Sequence, residues 1–206
     1  MYKLPHFTEH DSEKVISFMK ENYFAVVTGM GEKYPVASHL PLEIIEDKGQ
    51  LVFTGHLMRK TAHHTAFEKN KNVLVIFHSP HAYISAGWYE NPQQASTVNY
   101  MAVHVKGKIF FTDEAGTRAA IKQITDKHIG IDSPASFDKL SKDYVDAMLK
   151  AIIGFRIEVD SIENVFKLSQ NRNEEERKNI ITQLEKKAES GTDFIAEEMK
   201  KTILNN

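Results

Sequence analysis

The sequence contains no cysteine. Disulfides, thiolate nucleophiles and cysteine metal centres are therefore excluded, and a cytoplasmic setting is the expectation. Long apolar runs are missing as well. No stretch approaches the roughly 20 residues that span a bilayer, and residues 1–7 have no apolar signal core. No membrane partner is expected. Neither sign of charge is in large excess, since 26 Lys and Arg stand against 28 Asp and Glu for a net charge of −2. No global basic field argues for nucleic acid. There is no glycine fingerprint of a dinucleotide fold, no Walker-type phosphate loop, no His-Glu-x-x-His helix and no internal repeat. What remains is ordinary for a soluble globular chain: 206 residues, 41% hydrophobic and 26% charged.

Turn and periodicity signals divide the chain. Thr8-Glu9-His10-Asp11 reads as a capped helix start, followed by Val15, Ile16, Phe18 and Met19 on one face. Strands are expected at 24–28, at 35–45 with an interruption at Pro41, and at 50–54. A short helix follows at 61–69. Residues 73–77 form an apolar run short enough for a buried strand, ending at Ser79-Pro80. A long strand is expected at 97–111, with Gly107 as a bulge. Asp113 can cap a helix to about His128, 142–151 reads as another helix, and 154–165 as the last strand. Asn173-Glu174-Glu175-Glu176 opens an amphipathic helix, and Ser190-Gly191 breaks it before a final one. About six strands with helices segregated at the ends suggest an α+β, mainly β fold: an antiparallel barrel with flanking helices and a C-terminal helical pair. The main domain is expected at 1–170 and the helical extension at 171–206.

Two stretches carry chemistry. His81, Tyr83, Ser85, Trp88, Tyr89, Asn99, Tyr100 and His104 crowd one segment. That mixture suits a site that stacks on a flat ring and satisfies its polar edge, or else a core strand whose aromatics merely pack. Gly55-His56-Leu57-Met58-Arg59-Lys60 lies between a strand and a helix start. Helix N-terminal amides and a bidentate Arg59 would suit a phosphate. The same Arg-Lys pair could simply solvate a loop.

Several segments also occur together in a specific order. They are Met1-Tyr2 with Pro5 and Phe7; Ala37-Ser38-His39-Leu40-Pro41; Gly55-His56-Leu57 with Arg59; Pro80-His81-Ala82-Tyr83-Ile84-Ser85 with Trp88-Tyr89; Asn99-Tyr100 with Val103-His104; Ile153-Gly154-Phe155; and Lys167-Leu168-Ser169-Gln170-Asn171-Arg172. In this order they resemble the PaiB-type FMN-binding negative transcriptional regulators. That family is a branch of the split-barrel flavoproteins related to pyridoxamine phosphate oxidase. The resemblance implies an antiparallel split β-barrel, a homodimer and FMN in clefts at its interface. It implies FMN phosphate on Arg59, Lys60 and Thr54, with His56 nearby. The ring would lie along Ser38, His39 and Leu40, with Trp88, Tyr89 or Asn99 supplied by the partner chain. A reduced nicotinamide is the implied electron donor. The flavin carries such chemistry, so no catalytic residue is assigned.

One departure stands out, because the family has Pro-Thr-Trp before its Asn-Tyr and this chain has Ser96-Thr97-Val98. The regulatory role implied by the family name has little support from the residues. No helix-turn-helix is evident, and Arg172, Arg177, Lys178, Lys186 and Lys187 are balanced by Glu174, Glu175, Glu176, Glu185 and Glu189. DNA is thus a weakly supported partner, and regulation could be indirect. The alternative is a metal- or haem-binding split barrel using His78 with His81, or His56 with His63 and His64. No metal ligand is assigned.

Overall fold

The computed structural model describes residues 1 and 4–204. Tyr2, one of the residues carrying the resemblance, lies outside the described residues. Helix α1 (Ser12–Glu21) begins four residues beyond Thr8. Asp11 Oδ1 accepts from the backbone N–H of Glu13 at 2.9 Å and of Lys14 at 3.4 Å, so the cap is the aspartate. The strands are β1 (Phe24–Met30), β2 (Pro35–Pro41), β3 (Glu43–Asp47), β4 (Gln50–Met58), β5 (Asn72–Ile84), β6 (Thr97–Phe111) and β7 (Ile152–Lys167). The other helices are α2 (Ala62–Lys69), α3 (Glu114–Ile129), α4 (Lys142–Ala151), α5 (Glu174–Lys187) and α6 (Ser190–Leu204).

Among the described residues the seven strands form one sheet in the order β2-β1-β5-β6-β7-β4-β3. Its two edge strands, β2 and β3, are consecutive in sequence and separated only by the fully buried Leu42. A sheet whose first and last strands are neighbours along the chain is curled back on itself. This is the antiparallel split barrel expected from the sequence. The β1–β2, β1–β5, β3–β4 and β4–β7 pairs are antiparallel, with Val27 opposite both Ser38 and Val75, and Gly55 opposite Phe155.

Four strands outrun their sequence limits, β7 by two residues at each end. β4 continues through Gly55 because a Cβ there would lie 2.8 Å from the Phe155 ring and 3.2 Å from Leu42 Cδ2. Glycine is a packing requirement inside the strand, and no turn occurs there. β5 continues through the exposed Pro80. Next to it, Ser79 Oγ accepts from Met101 N at 3.0 Å, a side chain standing in for a backbone ladder partner. β1 extends to Met30, where Pro35 pairs with it.

The chain forms two compact units. One comprises residues 18–77 and 104–162. Its core includes Phe53 and Phe77 in edge contact at 5.4 Å, with Val27, Val75, Leu57 and Phe155 fully or almost fully buried. Ile121, Phe137, Val145 and Leu149 form a satellite core where α3 meets α4. The other unit comprises residues 1–17, 78–103 and 163–206. It buries Ile84, Leu168, Ile180, Leu184, Ile195 and Met199. The helical pair α5–α6 thus shares its unit with residues 78–103. Among the described residues no helix is long and apolar enough to cross a membrane.

Candidate functional site

Thr54 and His56 sit two positions apart on β4 and therefore share a face. Glu43 and Arg156 lie opposite Thr54 on the flanking strands, and Gly154 lies opposite His56. The glycine leaves the half-buried imidazole without a cross-strand side chain. His56 Nδ1 is buried and has no hydrogen-bond partner among the described residues. Burial lowers the His56 pKa below the ordinary histidine value, which keeps the ring neutral.

The sign of the resulting pH dependence follows from linkage. A histidine whose folded-state pKa is depressed binds fewer protons than in the unfolded chain, so stability falls as pH drops through about 6.5. His63, also lowered by burial and by His64, acts in the same direction. Melting temperature measured from pH 8 to 5 is expected to fall on the acid side, with a shallower slope in His56→Gln. An unchanged slope would remove His56 as a contributor.

β4 runs directly into a cationic turn. Arg59 N donates to Ala151 O at 2.9 Å and Arg59 Nε to Ile152 O at 2.8 Å. The base of the side chain is thereby fixed. Its terminal guanidinium nitrogens have no partner among the described residues. Lys60 adopts φ +61°, a left-handed conformation disfavoured for a residue with a Cβ. Its N–H donates to His64 Nδ1 at 3.2 Å, and the His64 ring packs edge-on against Phe111 at 4.8 Å. Thr61 Oγ1 caps α2 by accepting from His64 N at 3.4 Å, while donating to Met58 O at 2.9 Å. Two uncommitted cations therefore stand on a braced turn at a helix start, an arrangement suited to a phosphate dianion.

Strand β2 packs against β4 and α2 in the same unit. Its alternation separates the three residues expected along the ring. Ser38 and Leu40 point to one side and the exposed His39 to the other, where its ring lies 6.1 Å from Phe24. Ser38 is buried, and its Oγ lacks a hydrogen-bond partner among the described residues.

Trp88, Tyr89 and Asn99 belong to the other unit. Asn99 is fully buried, and its Nδ2 donates to Ser169 Oγ at 2.9 Å and contacts Met199 Sδ at 3.5 Å. Tyr89 is 6% exposed, with the Arg172 guanidinium 3.9 Å from its ring centroid. Trp88 stays half-buried, with Lys187 Nζ 5.2 Å from its ring. Sequence reasoning placed all three beside the flavin. Asn99 Nδ2 and the Tyr89 ring engage the chain's own C-terminal stretch, Asn99 Oδ1 has no hydrogen-bond partner among the described residues, and Trp88 is the more accessible of the two aromatics. Among the described residues no three His, Asp or Glu side chains converge as a metal site, so His56, His63 and His64 are not assembled into one.

The curled antiparallel sheet defines a split-barrel protein. A family model described as "Putative FMN-binding domain" matches residues 1–161, and the chain belongs to that family. It is 36% identical over 203 residues to the Protease synthase and sporulation protein PAI 2 of Bacillus subtilis, covering 97% of each chain. It is therefore an FMN-binding split-barrel protein of the PaiB type. Two solved structures share the fold. The flavocytochrome Anf3 from Azotobacter vinelandii superposes with a TM-score of 0.64 at 13% identity, covering 81% of this chain and 72% of that one. The FAD and heme binding protein from Mycobacterium smegmatis gives 0.60 at 14% identity, covering 78% and 73%. The residues present suit FMN. Arg59 and Lys60 can take a phosphate, and the orphaned Ser38 Oγ and His56 Nδ1 offer hydrogen-bonding capacity for a polar ring edge or sugar chain.

Proposed function

We propose that the protein is a homodimeric FMN-dependent redox protein that accepts electrons from a reduced nicotinamide. The observation carrying this reading is the braced Arg59-Lys60 turn. Arg59 clamps the phosphate with its free nitrogens, Lys60 adds a second positive charge, and the first amides of α2 complete the cradle. Thr54 supports the phosphate end. Ser38, His39 and Leu40 run along the ring, and neutral His56 offers its Nδ1 to a donor on the ligand. Trp88 of a second copy covers the open side of the ring. Bound FMN supplies hydride acceptance, while the side chains orient it and exclude water.

The test is spectroscopic. Protein loaded with FMN under anaerobic conditions is expected to bleach at its flavin band on addition of NADH or NADPH. A flavin band that stays unchanged with both donors would refute the redox reading. Light scattering is expected to give twice the 23.5 kDa chain mass. A 23.5 kDa particle would remove the second wall of the site.

Val98 replaces the family's tryptophan, and the residue is 37% exposed. The position has room for a larger group, so Val98→Trp is expected to tighten FMN by about 0.5–1.5 kcal/mol. The melting temperature should stay near that of wild type. Tighter binding without destabilisation would show an open position beside the ring, whereas unchanged affinity would place Val98 away from the flavin.

A further inference from the structure

Residues 167–179 reach back across a long sequence separation to hold the loop that carries Trp88. Ser169, buried and at φ +61°, turns the chain at the end of β7. On one side of this turn, Lys167 Nζ donates to Thr97 Oγ1. At its centre, Ser169 Oγ accepts from Asn99 Nδ2 at 2.9 Å. On the other side, Arg172 stacks on Tyr89 and donates to Gln94 Oε1 at 2.6 Å. Glu176 Oε1 accepts from Glu90 N at 3.1 Å, and Asn179 Nδ2 donates to the Trp88 carbonyl at 2.7 Å. These contacts pin the loop along its length, including the backbone of Trp88 itself.

The pattern distinguishes two adjacent aromatics. Tyr89 is buried with one face under a cation, so that face is closed to a flavin. Trp88 is half-buried, its backbone is held from α5, and Lys187 Nζ lies farther from its ring, at 5.2 Å, than Arg172 does from Tyr89 at 3.9 Å. We infer that residues 167–179 form a clasp that fixes Trp88 as a flavin-facing wall, with Arg172 and Tyr89 as positioning residues that do not touch the flavin. This rests on the proposed role of Trp88 in the FMN site. A loop ordered before the ligand arrives spares the ordering cost at binding.

Trp88 is the sole tryptophan, so its emission reports the loop directly. Wild-type protein titrated with FMN is expected to show quenched Trp88 emission. Arg172→Ala should shift the emission of the FMN-free protein and raise the FMN dissociation constant about tenfold. Ile180→Val, a fully buried change on α5 outside the clasp, should lower the melting temperature with less than about a twofold change in affinity. Arg172→Ala with wild-type emission and affinity overturns the clasp. Equal affinity losses in Arg172→Ala and Ile180→Val reduce it to general stability and also overturn it. Failure of FMN to quench wild-type Trp88 removes the wall itself. That result is distinguishable, because it needs no variant.

Discussion

Arg59→Ala is expected to weaken FMN by at least about tenfold while leaving riboflavin binding nearly unchanged. Only FMN carries the phosphate. A hydrogen bond to a charged group contributes roughly 1.5–3 kcal/mol, and about 1.4 kcal/mol corresponds to a tenfold change in affinity. The structure adds a complication, since Arg59 Nε also donates to Ile152 O at 2.8 Å. Alanine removes that brace and should lower the melting temperature as well. Titrating both flavins separates the effects, because a loosened turn penalises them alike and a missing phosphate contact penalises FMN alone. Arg59→Lys should fall between, keeping the charge but losing the fork and the Nε bond. Equal losses for FMN and riboflavin would reassign Arg59 to anchoring β4 against β7.

Gly107→Ala is expected to destabilise the protein by about 1–3 kcal/mol. A Cβ at this position would stand 2.4 Å from Glu158 O and 3.0 Å from Ile157 Cγ2. The first of these atoms is backbone on the neighbouring strand, so relief requires moving β7 and not merely turning a side chain. A shift of this size corresponds to a fall in melting temperature of roughly 2–4 °C per kcal/mol for a chain of this length. Gly87→Ala is the matched control, because its Cβ would meet only Ser85 Oγ at 3.5 Å. That variant should melt within experimental error of wild type. A stable Gly107→Ala protein would show that the β6–β7 approach relaxes easily.

Gly107 also illustrates how far sequence reading reached. Its place in an alternating strand was legible, and β6 spans the expected residues 97–111. Its reason was not. A bulge was expected, whereas the strand runs unbroken and the glycine serves a close approach from residues some 50 positions later. The same cause lengthened β4 and β5 beyond their expected ends. Gly55 and Pro80 are local punctuation, but neighbouring strands and side chains satisfied the positions they occupy. Elements set by local capping fared best. Asp113 caps α3, Asn173 caps α5, and α4 covers the expected 142–151.

The site divides along the same line. Strand, cation pair and helix start are adjacent in sequence, so the Arg59-Lys60 turn could be read from order alone, and the structure adds its bracing by Ala151, Ile152 and His64. The family was legible because its strings are specific side-chain combinations in a specific order along one chain. The absence of cysteine, of long apolar runs and of charge excess likewise needed no coordinates. Tertiary structure alone decided which face of β2 each of Ser38, His39 and Leu40 presents. It also decided that Asn99 and Tyr89 are taken up by residues 167–179. Composition marks an aromatic or amide as able to meet a ligand, but burial by a segment 70 positions away determines whether it is free to do so.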